Sequence, residues 1–414
     1  MNVTGIAAEY NPFHNGHLWQ MQEARRLGGR VVVAMSGPYT QRGEGAILCK
    51  YARAEMALRC GASVVLEIPV RFACAGASSF ARAAVSTLAN LGVCTHLSFG
   101  AETPNLPLLR TLAKITDQES PMYKENLRHN LNMGRSFARA RVMAVQSLLP
   151  SAERDVGVDV SEIMQRPNNI LALEYLAAMR RYAPEIIPLP IKRKGAAHDA
   201  AVPVFFDSPA DSKTGFASAS YIRTLIRNGA DCDELSLLMP PESILVLKKQ
   251  KFYGAPLDKY SVILHYILSA ENFKPYMNNF HNREHESLWR QIGKEALLGG
   301  DISQIVDRSA SKRFTKARIR RAITRRILGL GVEQRDAPAY VRVLGFRKDD
   351  ADLLSSITKN SLLPVITNLK HSKNILGADE TAREMLGEDL RAQDLFRRIS
   401  GSPGTEFAVP MVIL

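Results

Sequence analysis

Two histidines near the start of the chain have the spacing of a phosphate-binding pair. Val3 to Ala8 is a short apolar run that predicts a strand, and the chain then turns into His14-Asn15-Gly16-His17, where an amphipathic helix begins. Residues three apart share a face of the first helical turn, so both imidazoles can reach one phosphoryl group. A helix N-terminus beyond a parallel strand also offers N–H groups and a positive dipole to phosphate. The pattern predicts chemistry on a nucleotide phosphate, with Gly16 leaving room for the nucleotide.

A second cluster, Phe216 to Arg223 (FASASYIR), has further groups that suit a polyphosphate. Its small residues predict a turn before a helix, so Ser220 and Arg223 would present a hydroxyl and a guanidinium beside backbone N–H groups. Each cluster has a plain alternative, because H-x-G-H occurs by chance in loops and Ser218 can simply cap a helix. Their occurrence in one chain favours a phosphate cradle. The catalytic residues predicted from the two clusters are His14, His17, Ser220 and Arg223.

The elements that must position these groups alternate between strands and helices. Four more apolar runs of strand length occur at residues 30–36, 63–68, 95–99 and 185–191, and helical patterns occur at 50–59 and 77–91. This alternation predicts an α/β fold with a Rossmann-like, doubly wound parallel sheet. Prolines in the run at 185–191 favour an edge position for that strand. Helical patterns from about 105 to 150 predict a helical insertion beside the sheet.

Loops at the carboxyl end of a parallel sheet normally carry the ligand contacts. Arg42 follows the second predicted strand, and Lys50 and Arg53 lie on the next predicted helix. All three are candidate phosphate or RNA contacts. A solvated helix face is an equal alternative for Lys50 and Arg53.

Later loops at the same end of the sheet contain further candidate ligand contacts. Gly100 follows the fourth strand, where a missing Cβ lets a nucleotide approach or merely forms a turn. Asn168 and Asn169 precede a helical pattern, so one can cap the helix while the other binds a ligand. The fifth strand delivers Lys192-Arg193-Lys194-Gly195 into a loop there.

Composition indicates a globular protein with a polyanionic partner. The 414 residues suffice for two or three domains, and no stretch predicts a signal peptide or a membrane span. Five irregularly spaced cysteines predict reduced thiols in a cytoplasmic protein and no metal site. The net charge of +13 suggests a polyanionic partner, with generic basicity as the alternative.

The positive charge is concentrated between residues 309 and 331, which include no acidic residue. Ile319, Ile323, Ile327 and Leu328 fall at helical spacing and would form an apolar stripe beneath a basic face. A face of one sign favours a phosphate backbone over solvation, and the stripe lacks the Trp or Phe that a membrane-surface helix would use. The predicted RNA contacts are Lys312, Arg313, Lys316, Arg318, Arg320, Arg321 and Arg325.

The patterns change near residue 240 and predict two domains. Residues 1–240 would form the phosphate-binding catalytic domain, and residues 241–414 a mostly helical, basic domain. Within the second, apolar runs between 339 and 369 predict a small parallel strand pair around a helix. The last fifty residues, with Glu388 and Asp389 among arginines, predict solvated helices.

The tetrad HNGH at 14–17, which ends the longer string AEYNPFHNGH from Ala8 to His17, resembles the HIGH signature of the nucleotidyltransferase superfamily. The longer string is similar to the bacterial tRNA(Met) cytidine acetate ligase family, and the similarity extends over nearly the whole chain. The segment SASYIR at 218–223 resembles the I-S-S-T-x-I-R motif of the superfamily, with Ala219 where many members have serine or threonine. The other matching segments are QRG at 41–43, FGAE at 99–102, PNNIL at 167–171, KRKG at 192–195 and KARIRR at 316–321.

This resemblance implies a nucleotidyltransferase-type fold and an ATP-dependent ligase. Such an enzyme, with Mg²⁺, activates acetate as acetyl-adenylate and transfers the acetyl group to N4 of the wobble cytidine of elongator tRNA(Met). A small-molecule adenylyltransferase and a non-catalytic tRNA-binding protein are the alternatives. By matching position, the residues expected to hold ATP are Ala7, Ala8, Glu9, Tyr10, Asn11, Pro12, Phe13, His14, Asn15, Gly16, His17, Leu18, Trp19, Gln20, Gly100, Asn168, Arg193 and Lys194.

Overall fold

A central sheet organises the computed structural model of the chain, which describes residues 2–27, 29–150, 159–193, 204–207, 213–251, 253–270, 283–331 and 336–414. Its strands are β1 (Val3–Ala8), β2 (Arg30–Ser36), β3 (Val64–Ile68), β4 (His96–Ala101), β5 (Ile187–Lys192), β8 (Val341–Phe346), β9 (Val365–Ile366) and β10 (Val412–Ile413). β6 (Val204–Asp207) and β7 (Lys213–Phe216) form a separate antiparallel pair.

The first five strands form the predicted parallel sheet, in the order β3-β2-β1-β4-β5. The chain runs outward from β1 in both directions, so β1 and β4 flank the topological switch point where α/β sheets bind ligands. The doubly wound prediction is therefore confirmed. β5 lies at the edge of the sheet, as its prolines predicted.

The carboxyl-terminal strands extend the same sheet. β8 pairs antiparallel with β3, and β9 and β10 pair parallel with β8. The predicted parallel pair around a helix is confirmed, since a helix at Ala351–Asn360 separates β8 from β9. The boundary near residue 240 stays a prediction, and the sheet itself spans both sides of it.

Helices cover the sheet and build the second half of the chain. Within the described residues, the first ten helices are α1 (Asn15–Arg26), α2 (Lys50–Arg59), α3 (Val70–Ala73), α4 (Ala77–Asn90), α5 (Leu106–Gln118), α6 (Pro121–Asn132), α7 (Phe137–Gln146), α8 (Val160–Gln165), α9 (Pro167–Tyr182) and α10 (Ala219–Arg227). The others are α11 (Cys232–Ser236), α12 (Pro241–Lys248), α13 (Ser261–Ala270), α14 (Arg283–Ala296), α15 (Ile302–Ser309), α16 (Lys316–Ile327), α17 (Ala351–Asn360), α18 (Ser372–Leu376) and α19 (Glu380–Ser400).

Side chains point alternately to the two faces of the sheet along the buried strands, so a core forms on each face. Val32 and Ala34 of β2 pack with α4 and α9 on one face, whereas Val31 and Val33 pack with α1 and α2 on the other. A third core lies among the carboxyl-terminal helices and includes Ile319 of α16. None of the described helices is both long enough and apolar enough to span a membrane.

A buried ionic cluster joins the two halves of the chain. The Lys50 ammonium lies 2.8 Å from Glu67 and 2.7 Å from Glu406, and the Arg342 guanidinium lies 3.1 Å from Glu67 and 2.6 Å from Glu406. Against the effect of burial, Lys50 and Arg342 hold the pKa of Glu406 at about 2. Both alternatives predicted for Lys50, a phosphate contact and a solvated position, are therefore wrong.

The last long helix is not solvated on all sides, contrary to the sequence prediction. Glu388 pairs with Arg71 at 2.8 Å, and Asp389 accepts hydrogen bonds from the backbone N–H of Val70 and from the Tyr340 hydroxyl. Burial raises the pKa of Asp389 to about 7, with the charge of Glu67 as the second cause. These acidic residues look like surface groups in the sequence because their partners are distant in the chain.

Candidate active site

A cleft opens at the carboxyl ends of β1, β4 and β5, where the switch point of the sheet predicts a ligand site. All four predicted catalytic residues line it: His14, His17, Ser220 and Arg223. The predicted ATP-binding residues in its lining are Ala7, Ala8, Glu9, Tyr10, Asn11, Gly16, Trp19, Gln20, Gly100, Asn168 and Arg193. The structure thus brings the two sequence clusters, 200 positions apart, into one cavity.

The two histidines begin α1 as a reciprocal cap. The backbone N–H of Gly16 donates to Nδ1 of His14 at 3.1 Å, and the backbone N–H of His14 donates to Nδ1 of His17 at 3.3 Å. Since a backbone N–H can only donate, each Nδ1 is an acceptor, and each neutral ring carries its proton on Nε2. The rings stack with centroids 3.7 Å apart. The cap therefore fixes both tautomers as Nε2–H donors.

His17 lies among aromatic rings, and its burial there keeps it uncharged. Its ring centroid lies 4.9 Å from that of Tyr10 and 5.6 Å from that of Phe13. Burial, with the positive charge of Arg193 as the second cause, lowers the pKa of His17 to about 3. Near neutral pH this side chain is a neutral hydrogen-bond donor in the cleft.

Arg223 approaches the same strand end from α10. Its Nη1 donates to the carbonyl of Asn11 at 2.9 Å, which ties α10 to the turn that follows β1. Burial lowers the pKa of Arg223, while Glu44 and Glu9 act in the opposite direction. Ser218 accepts the backbone N–H of Tyr221 at 3.2 Å and caps α10, so the cap alternative is correct for Ser218.

Arg53 holds this end of the sheet together from inside. Its guanidinium is fully buried and donates to the carbonyl oxygens of Glu9, Ser36, Gly37 and Leu48. These carbonyls belong to the ends of β1 and β2 and to the segment before α2. The predicted phosphate contact and the predicted solvated position are therefore both wrong for Arg53. Its guanidinium instead donates hydrogen bonds to the backbone around the cleft.

A reciprocal clamp fixes the start of α9. The Glu102 carboxylate accepts the backbone N–H groups of Asn168 and Asn169 at 3.3 and 2.8 Å, while Oδ1 of Asn169 accepts those of Glu102 and Thr103 at 2.9 and 3.1 Å. α9 begins at Pro167, and neither asparagine is its N-cap residue, so the predicted asparagine cap is wrong. Asn168 lines the cleft, and Asn169 is buried behind it.

The loop of residues 39–45 forms another wall of the cleft. From this loop, the sequence predicted Arg42 as a candidate phosphate or RNA contact. Thr40, Gln41, Arg42 and Glu44 line the cleft, and the backbone N–H of Gln41 donates to Glu9 at 2.7 Å. The loop lies directly on α16. A Cβ at Gly43, where φ is +76°, would come within 2.5 Å of the backbone nitrogen of Arg321.

Three side chains of α16 hold that loop. Arg320 pairs with Glu44 at 3.0 Å, Arg321 donates to the Gln41 carbonyl at 3.2 Å, and the Thr324 hydroxyl donates to the Gly43 carbonyl at 2.7 Å. The basic helix therefore supports the wall of the cleft. The hydrophobic stripe predicted for this helix is confirmed by the buried Ile319 and Ile323.

The other predicted RNA contacts differ in their exposure. Lys312, Arg313 and Lys316 are exposed, with Lys316 paired to Asp307 at 2.8 Å. Arg318 is half-buried, and its guanidinium lies 5.3 Å from the centroid of the Phe314 ring. Arg325 is half-buried and donates to the Arg71 carbonyl at 2.6 Å.

Four residues from the predicted ATP segment lie outside the lining of the cleft. Phe13 is fully buried in the core around α1, Leu18 packs against that core, and Pro12 is buried in the turn. Asn15 donates to the carbonyls of Gly215 and Leu237 at 2.9 and 3.0 Å, so it anchors the start of α1. Lys194 lies outside the described residues.

The fold and the cleft define the class of protein. A parallel sheet whose first strand leads into a capped pair of histidines, with an arginine-bearing helix across the cleft, is the arrangement of a HIGH-type nucleotidyltransferase. The family model described as HIGH Nucleotidyl Transferase matches residues 1–406.

Full-length relatives narrow the class. The tRNA(Met) cytidine acetate ligases of Thermoanaerobacter sp. (strain X514) and Acetivibrio thermocellus are 34% and 33% identical, each covering 100% of both chains. A crystal structure of Thermotoga maritima TmcAL bound with alpha-thio ATP superposes with a TM-score of 0.86, at 29% identity and 100% coverage of both chains. The chain belongs to the tRNA(Met) cytidine acetate ligase family.

Proposed function

We propose that this chain is an ATP-dependent ligase that joins acetate to N4 of the wobble cytidine of elongator tRNA(Met), in the cytoplasm. The observation that carries the proposal is the convergence of His14, His17, Ser220 and Arg223 on one cleft at the switch point of the sheet. The full-length match to curated ligases of this name supports the choice of substrates.

In the first step a carboxylate oxygen of acetate attacks the α-phosphorus of ATP. The bond from that phosphorus to its bridging oxygen breaks, and pyrophosphate leaves with the electron pair. The two Nε2–H groups donate to phosphoryl oxygens whose charge grows in the transition state. Arg223 and Arg193 neutralise the pyrophosphate, and Ser220 offers a hydroxyl donor. The product is acetyl-adenylate.

In the second step the N4 amine attacks the acetyl carbonyl carbon. The bond from that carbon to the AMP oxygen breaks, AMP leaves, and the amine loses a proton to water. No covalent protein nucleophile is required. The wobble base must leave its stack to reach the cleft, which costs less for a loop base than for a paired one.

Two carboxylates in the lining, Glu9 and Glu44, suit a magnesium ion that accompanies ATP. Mg²⁺ usually takes one or two protein carboxylates and fills its remaining positions with phosphate oxygens and water. Within the described residues, no group of three or more metal-ligating side chains is present. When bound, the ion would add positive charge beside the β- and γ-phosphates.

Exchange of labelled pyrophosphate into ATP tests the first step. We expect exchange that requires acetate, followed by transfer of labelled acetate to bulk tRNA. Exchange that instead requires a nucleotide acceptor would favour a small-molecule adenylyltransferase. A protein that binds tRNA and shows no exchange with any acceptor would be a binding module, and the proposal would be wrong.

The exposed cations at the first residue of α16 and in the segment just before it form the RNA surface that we propose. Replacing Lys312, Arg313 and Lys316 together by glutamate should weaken tRNA binding at least tenfold and flatten its salt dependence, by a slope of about 2 to 3 for three lost phosphate contacts. Acetate-dependent exchange should stay within twofold of wild type, because none of these residues lines the cleft. Filter binding at several salt concentrations measures the tRNA affinity and its salt slope.

A matched variant controls for net charge. Lys359, Lys370 and Lys373 are exposed on another part of the chain, so their joint replacement by glutamate makes the same change in net charge and should leave the salt slope nearly unchanged. Equal losses in the two variants would show that only total charge matters. Arg320 and Arg321 are unsuitable for this test, since both hold the loop that lines the cleft.

A further inference from the structure

One corner of the cleft is walled by apolar side chains. Phe80 of α4, Phe99 of β4, and Leu171 and Tyr175 of α9 all contribute to the lining. The Phe99 and Tyr175 rings lie 5.8 Å apart. Phe80, Phe99 and Tyr175 are only 3%, 2% and 5% exposed, so packing fixes this wall in place.

The corner lies across the cleft from the groups that suit phosphate. α4 and α9 cover one face of the sheet, whereas α1 and α10, which bring the histidines and Arg223, pack on the other face. An in-line displacement at the α-phosphorus requires the attacking oxygen opposite the departing pyrophosphate. A carboxylate acceptor would therefore enter from the side of α4 and α9.

The chemistry of the corner suits the alkyl end of such an acceptor. Asn168, Leu171 and Tyr175 share one face of α9, so the apolar wall continues directly from a polar amide. Burial raises the pKa of Tyr175, so its hydroxyl stays protonated and brings no charge. A fixed, uncharged wall binds a methyl group and excludes water from a reactive mixed anhydride.

We propose that Phe80, Phe99, Leu171 and Tyr175 form an acyl corner that holds the methyl group of acetate and rejects longer straight-chain carboxylates. This inference rests on the proposed function and names the residues that determine its acid specificity. A closed apolar pocket distinguishes one methylene group by roughly 10- to 200-fold in kcat/KM.

The test compares three acids as substrates for each protein sample. Acetate-, propionate- and butyrate-dependent pyrophosphate exchange is measured for the wild type, Leu171→Ala and Phe80→Leu. We expect the wild type to prefer acetate by at least tenfold, and both variants to raise the propionate-to-acetate ratio of kcat/KM at least tenfold. The ratio is insensitive to misfolding, because an inactive fraction lowers both rates equally.

Leu173→Ala is the control, since Leu173 lies on the same helix, is 3% exposed and does not line the cleft. It should change the activity without changing the ratio. An unchanged ratio in Leu171→Ala and Phe80→Leu would overturn the acyl corner. A raised KM for ATP with unchanged acid preference would also overturn it and assign the wall to the nucleobase. Absence of exchange with acetate in the wild type would instead overturn the proposed function, and the corner with it.

Discussion

Replacing His17 by alanine is expected to slow acetate-dependent pyrophosphate exchange by roughly 100- to 1,000-fold, the usual loss for one donor of an oxyanion-stabilising site. The reason is geometric. The Nδ1 atom accepts the backbone N–H of His14 and so directs the only ring proton to Nε2. Alanine removes that donor while ATP can still contact the rest of the cleft. The effect should therefore fall mainly on kcat, measured at saturating ATP and acetate.

A glutamine variant separates catalysis from helix capping. Alanine at position 17 also removes the acceptor that caps α1, which could destabilise the protein. Glutamine is a favoured residue at this position of a capping box, so His17→Gln should keep the cap and the thermal stability yet still lack the imidazole donor. Recovery of the exchange rate to within tenfold of wild type in His17→Gln would contradict a role for the imidazole.

The pH dependence follows from the same environment. With a pKa of about 3, His17 stays neutral throughout pH 5 to 8, so the exchange rate should show no ionisation of this residue there. Below its ordinary pKa of about 6.5, the unfolded chain binds a proton at His17 that the folded chain does not bind. Folding stability should therefore fall as pH drops from 6.5 toward 3, and by less in His17→Gln. Urea unfolding at several pH values measures the difference.

Replacing Lys50 by methionine is expected to cost about 3 to 5 kcal/mol of folding stability. The Lys50 side chain is 0% exposed and lies between the carboxylates of Glu67 and Glu406. Methionine fills a similar volume but leaves those two buried carboxylates with less compensating charge. Urea unfolding followed by circular dichroism gives the change in the free energy of unfolding.

An exposed ion pair offers the matched control. Arg398 pairs with Asp394 at 3.0 Å, but its side chain is 75% exposed. Arg398→Met should therefore change the free energy of unfolding by only about 0.5 kcal/mol or less. A loss below about 1 kcal/mol for Lys50→Met would show that the cluster relaxes or takes up water around the missing charge.

Much of the site was predictable because its signals are local. The strand, the turn and the two histidines lie within seventeen residues, and the strand ends of a parallel sheet meet at one edge. Arg223 was predictable from its own helix start. The proposed acetate and tRNA substrates were not derivable from these patterns and rest on resemblance to a family.

The rest depended on partners that are far away in the sequence. Arg321 contacts Gln41 from 280 positions away, so no local pattern could show that the basic helix supports the cleft. Lys50 and Arg53 have the spacing of surface residues, yet the fold surrounds both with acceptors. Glu388 and Asp389 were misread for the same reason. Charged residues are buried only when a partner is present, and the partner is invisible locally.

The late position of Glu406 has a consequence for biosynthesis. Its carboxylate binds Lys50 and accepts a hydrogen bond from Tyr51, which lies 355 positions earlier, so the charges of Lys50 and Arg342 balance only after residue 406 has been synthesised. A nascent chain that ends between Arg342 and Glu406 would hold two buried cations, Lys50 and Arg342, against the single carboxylate of Glu67. Prematurely terminated products should thus remain substrates for cellular proteases, so that incomplete copies do not accumulate as partly active enzyme.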